Sequence, residues 1–178
     1  MLFDTHAHYD DEAFDPDREL LLESLPQRGV ALVLNPGCDL DSSRKAVSYA
    51  AAYPHVYAAV GIHPENCGDF RPEDLDAIRA LAREDKVVAI GEIGLDYYWP
   101  ENPPRPLQQQ ALRSQLALAR ELDIPVTMVT DTYQFPMGQA MLTIYPPVGA
   151  GDLNEQGLTF LCSAGDFDAL ITGDMAGN

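Results

Sequence analysis

Apolar and polar positions along residues 1–126 repeat one rhythm: a short apolar run, a turn, then an amphipathic stretch. Val30-Ala31-Leu32-Val33-Leu34 is an unbroken apolar run, as expected of a strand covered on both faces, and Asn35-Pro36-Gly37 breaks it. Met1 to His8, Val56 to Gly61 and Val87 to Ile90 read as further strands, and Ile124-Pro125-Val126 begins a fifth. Between them the spacing turns helical. Asp15-Pro16-Asp17-Arg18-Glu19 supplies an N-cap candidate, a proline at the first helical position and acids in the first turn. Leu21, Leu22 and Leu25 give that helix its apolar face, and Pro26 to Gly29 end it. A second helix spans about Asp41 to Tyr53. A third opens at Pro72, with Leu75, Ile78, Leu81 and Ala82 on one face. Prolines 100, 103, 104 and 106 mark a non-helical loop, and helical spacing returns from Leu107 to Leu122. Strand–helix alternation with short connections predicts a parallel sheet covered by helices, about four and a half βα units in all.

Past Val126 the rhythm changes. Residues 140–145, 158–162 and 167–172 are short and β-prone, with turn-forming stretches at 146–152 and 164–166 between them. With no helical crossover, these strands predict a short antiparallel meander. The chain therefore divides at Val126 into an α/β part (1–126) and a β-rich tail (127–178).

Composition changes this picture in two places. No 18-residue apolar run exists, so no transmembrane helix and no membrane partner is expected. The N-terminus lacks a basic region followed by a long apolar segment, which argues against a secretory signal. Cys38, Cys67 and Cys162 are odd in number and far apart, and read as reduced thiols of a cytoplasmic protein. The net charge of −17 disfavours nucleic-acid binding through a basic face, though bound metal ions can supply positive charge at a phosphodiester site. All 11 Lys and Arg lie at or before Arg120, whereas 127–178 holds six acids and no base. That shift suggests two segments of different origin.

The chemistry-bearing residues fall at strand ends. His6 and His8 close strand 1, His63 and Glu65 close strand 3, and Glu92 and Asp96 close strand 4. On a strand, residues i and i+2 share a face, so His6 and His8 point the same way. Flanked by Asp4 and Asp10, they can hold a divalent cation; a polar strand end is the alternative. Ligands bind at the carboxyl ends of parallel strands, and six ionisable residues at that rim are hard to explain as packing.

With these strand ends in view, residues 1–126 resemble the TatD family of metal-dependent hydrolases. DTHAHYD (4–10), GIHPE (61–65), GEIGLDYY (91–98) and the helix QQQALRSQLALARELDIPV (108–126) carry the resemblance. It implies a partial (β/α)8 TIM barrel and a deoxyribonuclease chemistry supported by one or two divalent ions, Zn, Mn or Mg. DNA would be the substrate, and no protein partner is defined. His6 and His8 would ligate one metal, and Glu92 would ligate it too, as the catalytic carboxylate bridging to a second ion. His63 and Glu65 would contact substrate or support the ligands. Asp96 would do the same, or anchor its own loop. Tyr97, Tyr98 and Trp99 would stack on a base or cap the barrel mouth.

The sequence also departs from that family. Relatives take further ligands from histidines after strands 5 and 6 and an aspartate after strand 8, yet no histidine follows His63 here. A closed barrel takes about 250 residues, so this chain cannot close one alone. From about residue 139 the tail resembles the metallo-β-lactamase-fold domain of ComEC-type competence proteins. There Thr172-Gly173-Asp174 matches a metal-ligating aspartate motif whose histidine-rich counterpart is missing. Weak or absent activity is expected of such an incomplete copy. Two other functions fit: an amidohydrolase-type enzyme acting on an amide or aminoacyl ester, and a non-catalytic chimeric fragment.

Overall fold

Four apolar runs pair in chain order into one parallel sheet. In the computed structural model, which describes residues 2–146 and 159–171, these are β1 (Leu2–Asp4), β2 (Val30–Pro36), β3 (Val56–Val60) and β4 (Val87–Ile90), ordered β1-β2-β3-β4. Parallel neighbours need a crossover rather than a hairpin. Helices α1 (Arg18–Ser24), α2 (Leu40–Ala52) and α3 (Pro72–Leu81) lie in the three crossovers, and α4 (Arg105–Glu121) follows β4. This is a partial TIM barrel of four βα units. By contacts the chain splits into two compact units, Met1–Val126 and Thr127–Asn178. Among the described residues no helix is long and apolar enough to cross a membrane.

The core lies between the sheet and its helices. Val60, Ile62, Ile78, Ile90, Ala111 and Leu118 form one cluster, and Leu22, Leu25, Val33 and Val56 form another beside α1. Ala46, Ala50 and Ala58 are small enough to let α2 sit close on β3. The helices bury only one face. On the other, Phe3, Leu32 and Val88 keep 51%, 37% and 51% of their surface exposed. β2 is therefore covered on one side only, where its apolar run predicts cover on both.

Several boundaries differ from the sequence pattern, each for a local reason. β1 stops at Asp4, so His6 and His8 lie beyond the strand rather than on it. The Asp4 carboxylate accepts the His6 N–H at 3.3 Å, and the chain rejoins β2 only where the Ala7 N–H meets the Leu34 carbonyl at 3.1 Å. α1 begins at Arg18 because the Asp15 carboxylate pairs with the Arg18 guanidinium at 2.6 Å instead of capping the helix. α4 begins at Arg105 and takes in Pro106, since a first helical turn tolerates a residue without an N–H. Ile124-Pro125-Val126 forms no strand. The Ile124 N–H is taken by the Ala119 carbonyl at 2.9 Å, and Pro125 has none to give.

The second unit is an antiparallel sheet of β5 (Tyr133–Met137), β6 (Ala140–Tyr145), β7 (Thr159–Ala164) and β8 (Phe167–Ile171), in the order β5-β6-β7-β8. It is the predicted meander with one strand more. β5 escapes the apolar pattern because Gln134 and Pro136 interrupt it. Its pairing is held in part by the Gln134 amide donating to the Thr143 hydroxyl at 2.9 Å. Gly138 (φ 63°) and Gly165 (φ 61°) adopt the left-handed backbone that tight hairpin turns demand. Thr172-Gly173-Asp174 lies outside the described residues.

Candidate metal centre

The carboxyl ends of β2, β3 and β4 are joined by backbone hydrogen bonds. The Gly37 N–H donates to Ala59 O (2.9 Å), Gly91 N–H to Val60 O (3.0 Å) and Glu92 N–H to Gly37 O (2.7 Å). Glycine is required where these ends approach: a Cβ on Gly61 would lie 2.9 Å from the Gly91 carbonyl carbon. The Gly91–Glu92 peptide bond is cis. This rim carries the Glu92 side chain toward the segment that leaves β1.

There the Nε2 atoms of His6 and His8 lie 3.0 Å apart, and Glu92 Oε2 lies 3.5 Å from the first and 3.6 Å from the second. Among the described residues this is the one cluster of three potential His, Cys, Asp or Glu ligands. A point equidistant from three such donors sits about 2 Å from each, the length of a zinc–nitrogen or zinc–carboxylate bond. Two neutral imidazoles and one carboxylate are donors that zinc and manganese accept. The residues fit a divalent cation. His6 is exposed, and His8 and Glu92 are half-buried, so the group opens to solvent.

Cys38, at the end of β2, borders the cluster. Its thiol points at Glu92 Oε2 (3.7 Å), and its sulfur is 4.0 Å from His8 Nδ1. Burial, and then the neighbouring Glu92 carboxylate, push this thiol up to about 12, so it stays protonated at neutral pH. Cys38, Cys67 and Cys162 are all unpaired thiols.

The other three predicted residues do not join the cluster. His63 Nδ1 accepts the Glu65 N–H at 3.3 Å and lies 3.9 Å from the Glu65 carboxylate, so the two partner each other at the start of the turn after β3. The Asp96 carboxylate accepts the Tyr98 N–H at 2.9 Å, which makes it an anchor of its own loop. Gln109 donates to the Tyr97 hydroxyl (3.0 Å) and the Arg105 guanidinium lies over the Tyr97 ring, while Tyr98 and Trp99 are exposed. Sequence reasoning missed the residues that hold the rim from behind. Gln115 donates to the Ile62 carbonyl (3.0 Å) and accepts the Ile62 N–H (2.7 Å), and Gln108 does the same for Asp96 (2.8 Å each). Two glutamines seven residues apart on a helix, in line with its apolar face, were the available signal.

A parallel βα sheet with a His-x-His pair and a glutamate gathered at its carboxyl rim has the layout of a metal-dependent hydrolase. The chain belongs to the TatD related DNase family, whose model matches residues 3–131. It is 40% identical over 126 residues to the uncharacterized metal-dependent hydrolase YabD of Bacillus subtilis, covering 71% of this chain and 49% of that one. To the 3'-5' ssDNA/RNA exonuclease TatD of Salmonella typhimurium it is 35% identical over 127 residues, covering 71% and 48%. The crystal structure of YJJV, a TatD homologue from Escherichia coli k12, superposes with a TM-score of 0.63 at 35% identity, over 70% of this chain and 49% of that one. The chain thus spans about half the length of the relatives it matches.

Proposed function

We propose that this chain is a metal-dependent hydrolase that cleaves DNA phosphodiester bonds, with His6, His8 and Glu92 as metal ligands and activity reduced by an incomplete ligand set. The observation that carries this reading is the convergence of two imidazole nitrogens and one carboxylate oxygen within 3.0–3.6 Å. When bound, a divalent cation supplies Lewis-acid polarisation of a phosphoryl oxygen and acidifies water at neutral pH. The protein's part is to hold its donors ready. His6 and His8 offer lone pairs without charge. Glu92 adds the negative charge that offsets a dication, and its second oxygen is available to a second ion. His63 and Glu65, after β3, would contact substrate or support the ligands. A relative described as an ssDNA/RNA exonuclease supports nucleic acid as the substrate class.

Residues 127–178 are, in this reading, a segment of different origin. The family match ends at residue 131, and the tail's sheet is antiparallel where a barrel would continue parallel. Their likeness to the domain of ComEC-type proteins belongs to the same proposal, as does a cytoplasmic location.

The test is digestion of a labelled single-stranded oligonucleotide by the full chain with Zn²⁺, Mn²⁺ or Mg²⁺, against chelator. Metal-dependent shortening that Glu92→Gln abolishes is expected. Cleavage of an amide or aminoacyl ester instead would favour the amidohydrolase reading. Inertness toward all substrates with metal bound would leave the chain a non-catalytic fragment.

A further inference from the structure

The His-x-His arm lies beyond β1, outside any regular ladder, so something other than a strand must aim its rings. Asn35, at the end of β2, is fully buried. Its Oδ1 accepts the Tyr9 N–H at 2.7 Å, which fixes the amide's orientation, because only the oxygen can meet an N–H. Its Nδ2 must then donate outward, and it does so to Asp10 Oδ1 at 2.9 Å. That carboxylate is 13% exposed, and the same oxygen faces His8 Nδ1 at 3.9 Å. The backbone around it is fixed as well, since Arg18 donates to the carbonyls of Tyr9 (2.6 Å) and Asp11 (2.7 Å).

We infer that Asn35 and Asp10 are positioning residues, forming a relay that turns His8 Nε2 toward the metal by giving its Nδ1–H a carboxylate to meet. This rests on the metal-site reading above. If Nε2 carries the lone pair that binds the ion, the ring proton must sit on Nδ1 and needs an acceptor. Among the described residues two groups are near enough. The Cys38 sulfur, at 4.0 Å, is a weak acceptor whose own hydrogen is directed to Glu92. Asp10 is a charged acceptor and already oriented by Asn35. At 3.9 Å the contact is longer than a hydrogen bond, but the carboxylate's charge favours a proton on the ring nitrogen that faces it, Nδ1, with or without the ion.

The experiment compares wild type with Asp10→Ala and Asp10→Asn in two readouts. One is Zn²⁺ affinity by chelator competition, and the other is the His8 tautomer in metal-free protein by ¹⁵N NMR. Losing this carboxylate should weaken Zn²⁺ about 10–100-fold and remove the Nδ1–H preference. Asp10→Asn, which keeps an acceptor oxygen, should recover part of both. Wild-type binding with Asp10→Ala within twofold and the tautomer unchanged would overturn the inference and leave the metal centre standing. No Zn²⁺ binding by wild type would overturn the metal centre instead. The tautomer comparison would then decide the relay: dependence on Asp10 retains it, independence overturns it. A thermal melt of each variant excludes misfolding as the cause.

Discussion

Asp39 and His63 are both side chains that close the start of a helical turn, and the pair shows how a residue's type leaves its task open. His63 was a site candidate by position, yet its Nδ1 is occupied by the Glu65 N–H. Asp39 accepts the Ser42 N–H at 2.7 Å and the Ser42 hydroxyl at 2.6 Å, while that hydroxyl accepts the Asp39 N–H at 2.9 Å, a reciprocal cap on α2. Burial alone would raise the Asp39 pKa, but these bonds from Ser42 outweigh it and hold the carboxyl below its ordinary 3.8. A depressed folded-state pKa means stability that is full above 3.8 and is lost as pH falls through the lower folded value. Asp39→Ala should therefore cost about 1 kcal/mol in urea unfolding at pH 7. The cost should shrink in acid, where the neutral carboxyl is the weaker acceptor. A penalty that does not change with pH would contradict this account of the cap.

At the scale of elements, α4 acts as a clamp on two strand ends. Gln115 holds both backbone groups of Ile62, next to His63, and Gln108 holds Asp96 and the Pro103 carbonyl. Both glutamines are about 1% exposed. Gln115→Leu keeps the volume but leaves a buried N–H and C=O without partners, which should cost about 3 kcal/mol by urea unfolding. A loss below about 0.5 kcal/mol would show that Ile62 finds other partners. Elements were legible where a chemical break coincides with the end of a periodic pattern: β4 ends where Gly91 follows Ile90, and α3 opens at Pro72. They were illegible where the deciding contact is made elsewhere. Asp4 turning the chain off β1, Asp15 spent on Arg18, and β5 held partly by Thr143 depend on partners that periodicity does not reveal.

The whole molecule joins half of a barrel sheet to a separate antiparallel sheet. Helices cover one face of the parallel sheet and leave apolar residues on the other, and among the described residues neither β1 nor β4 has a neighbour on its outer edge. The candidate site was partly legible at this scale. His6, His8 and Glu92 were among six residues marked by strand-end position and were singled out as ligands by the family resemblance; the structure gathers them, although the strand geometry invoked for the histidines does not apply. Asp10 was noted only as a flank of the histidines, and Asn35 and Cys38 were missed, because their parts depend on which elements the fold places side by side. The central claim is that three side chains from two distant parts of the sequence grip one cation. Isothermal titration of the metal-free full chain with Zn²⁺ tests it most directly. The account predicts about one ion per chain, with His6→Ala, His8→Ala and Glu92→Gln each weakening binding at least about tenfold. Equal affinity in all three variants, or no binding by wild type, would contradict it.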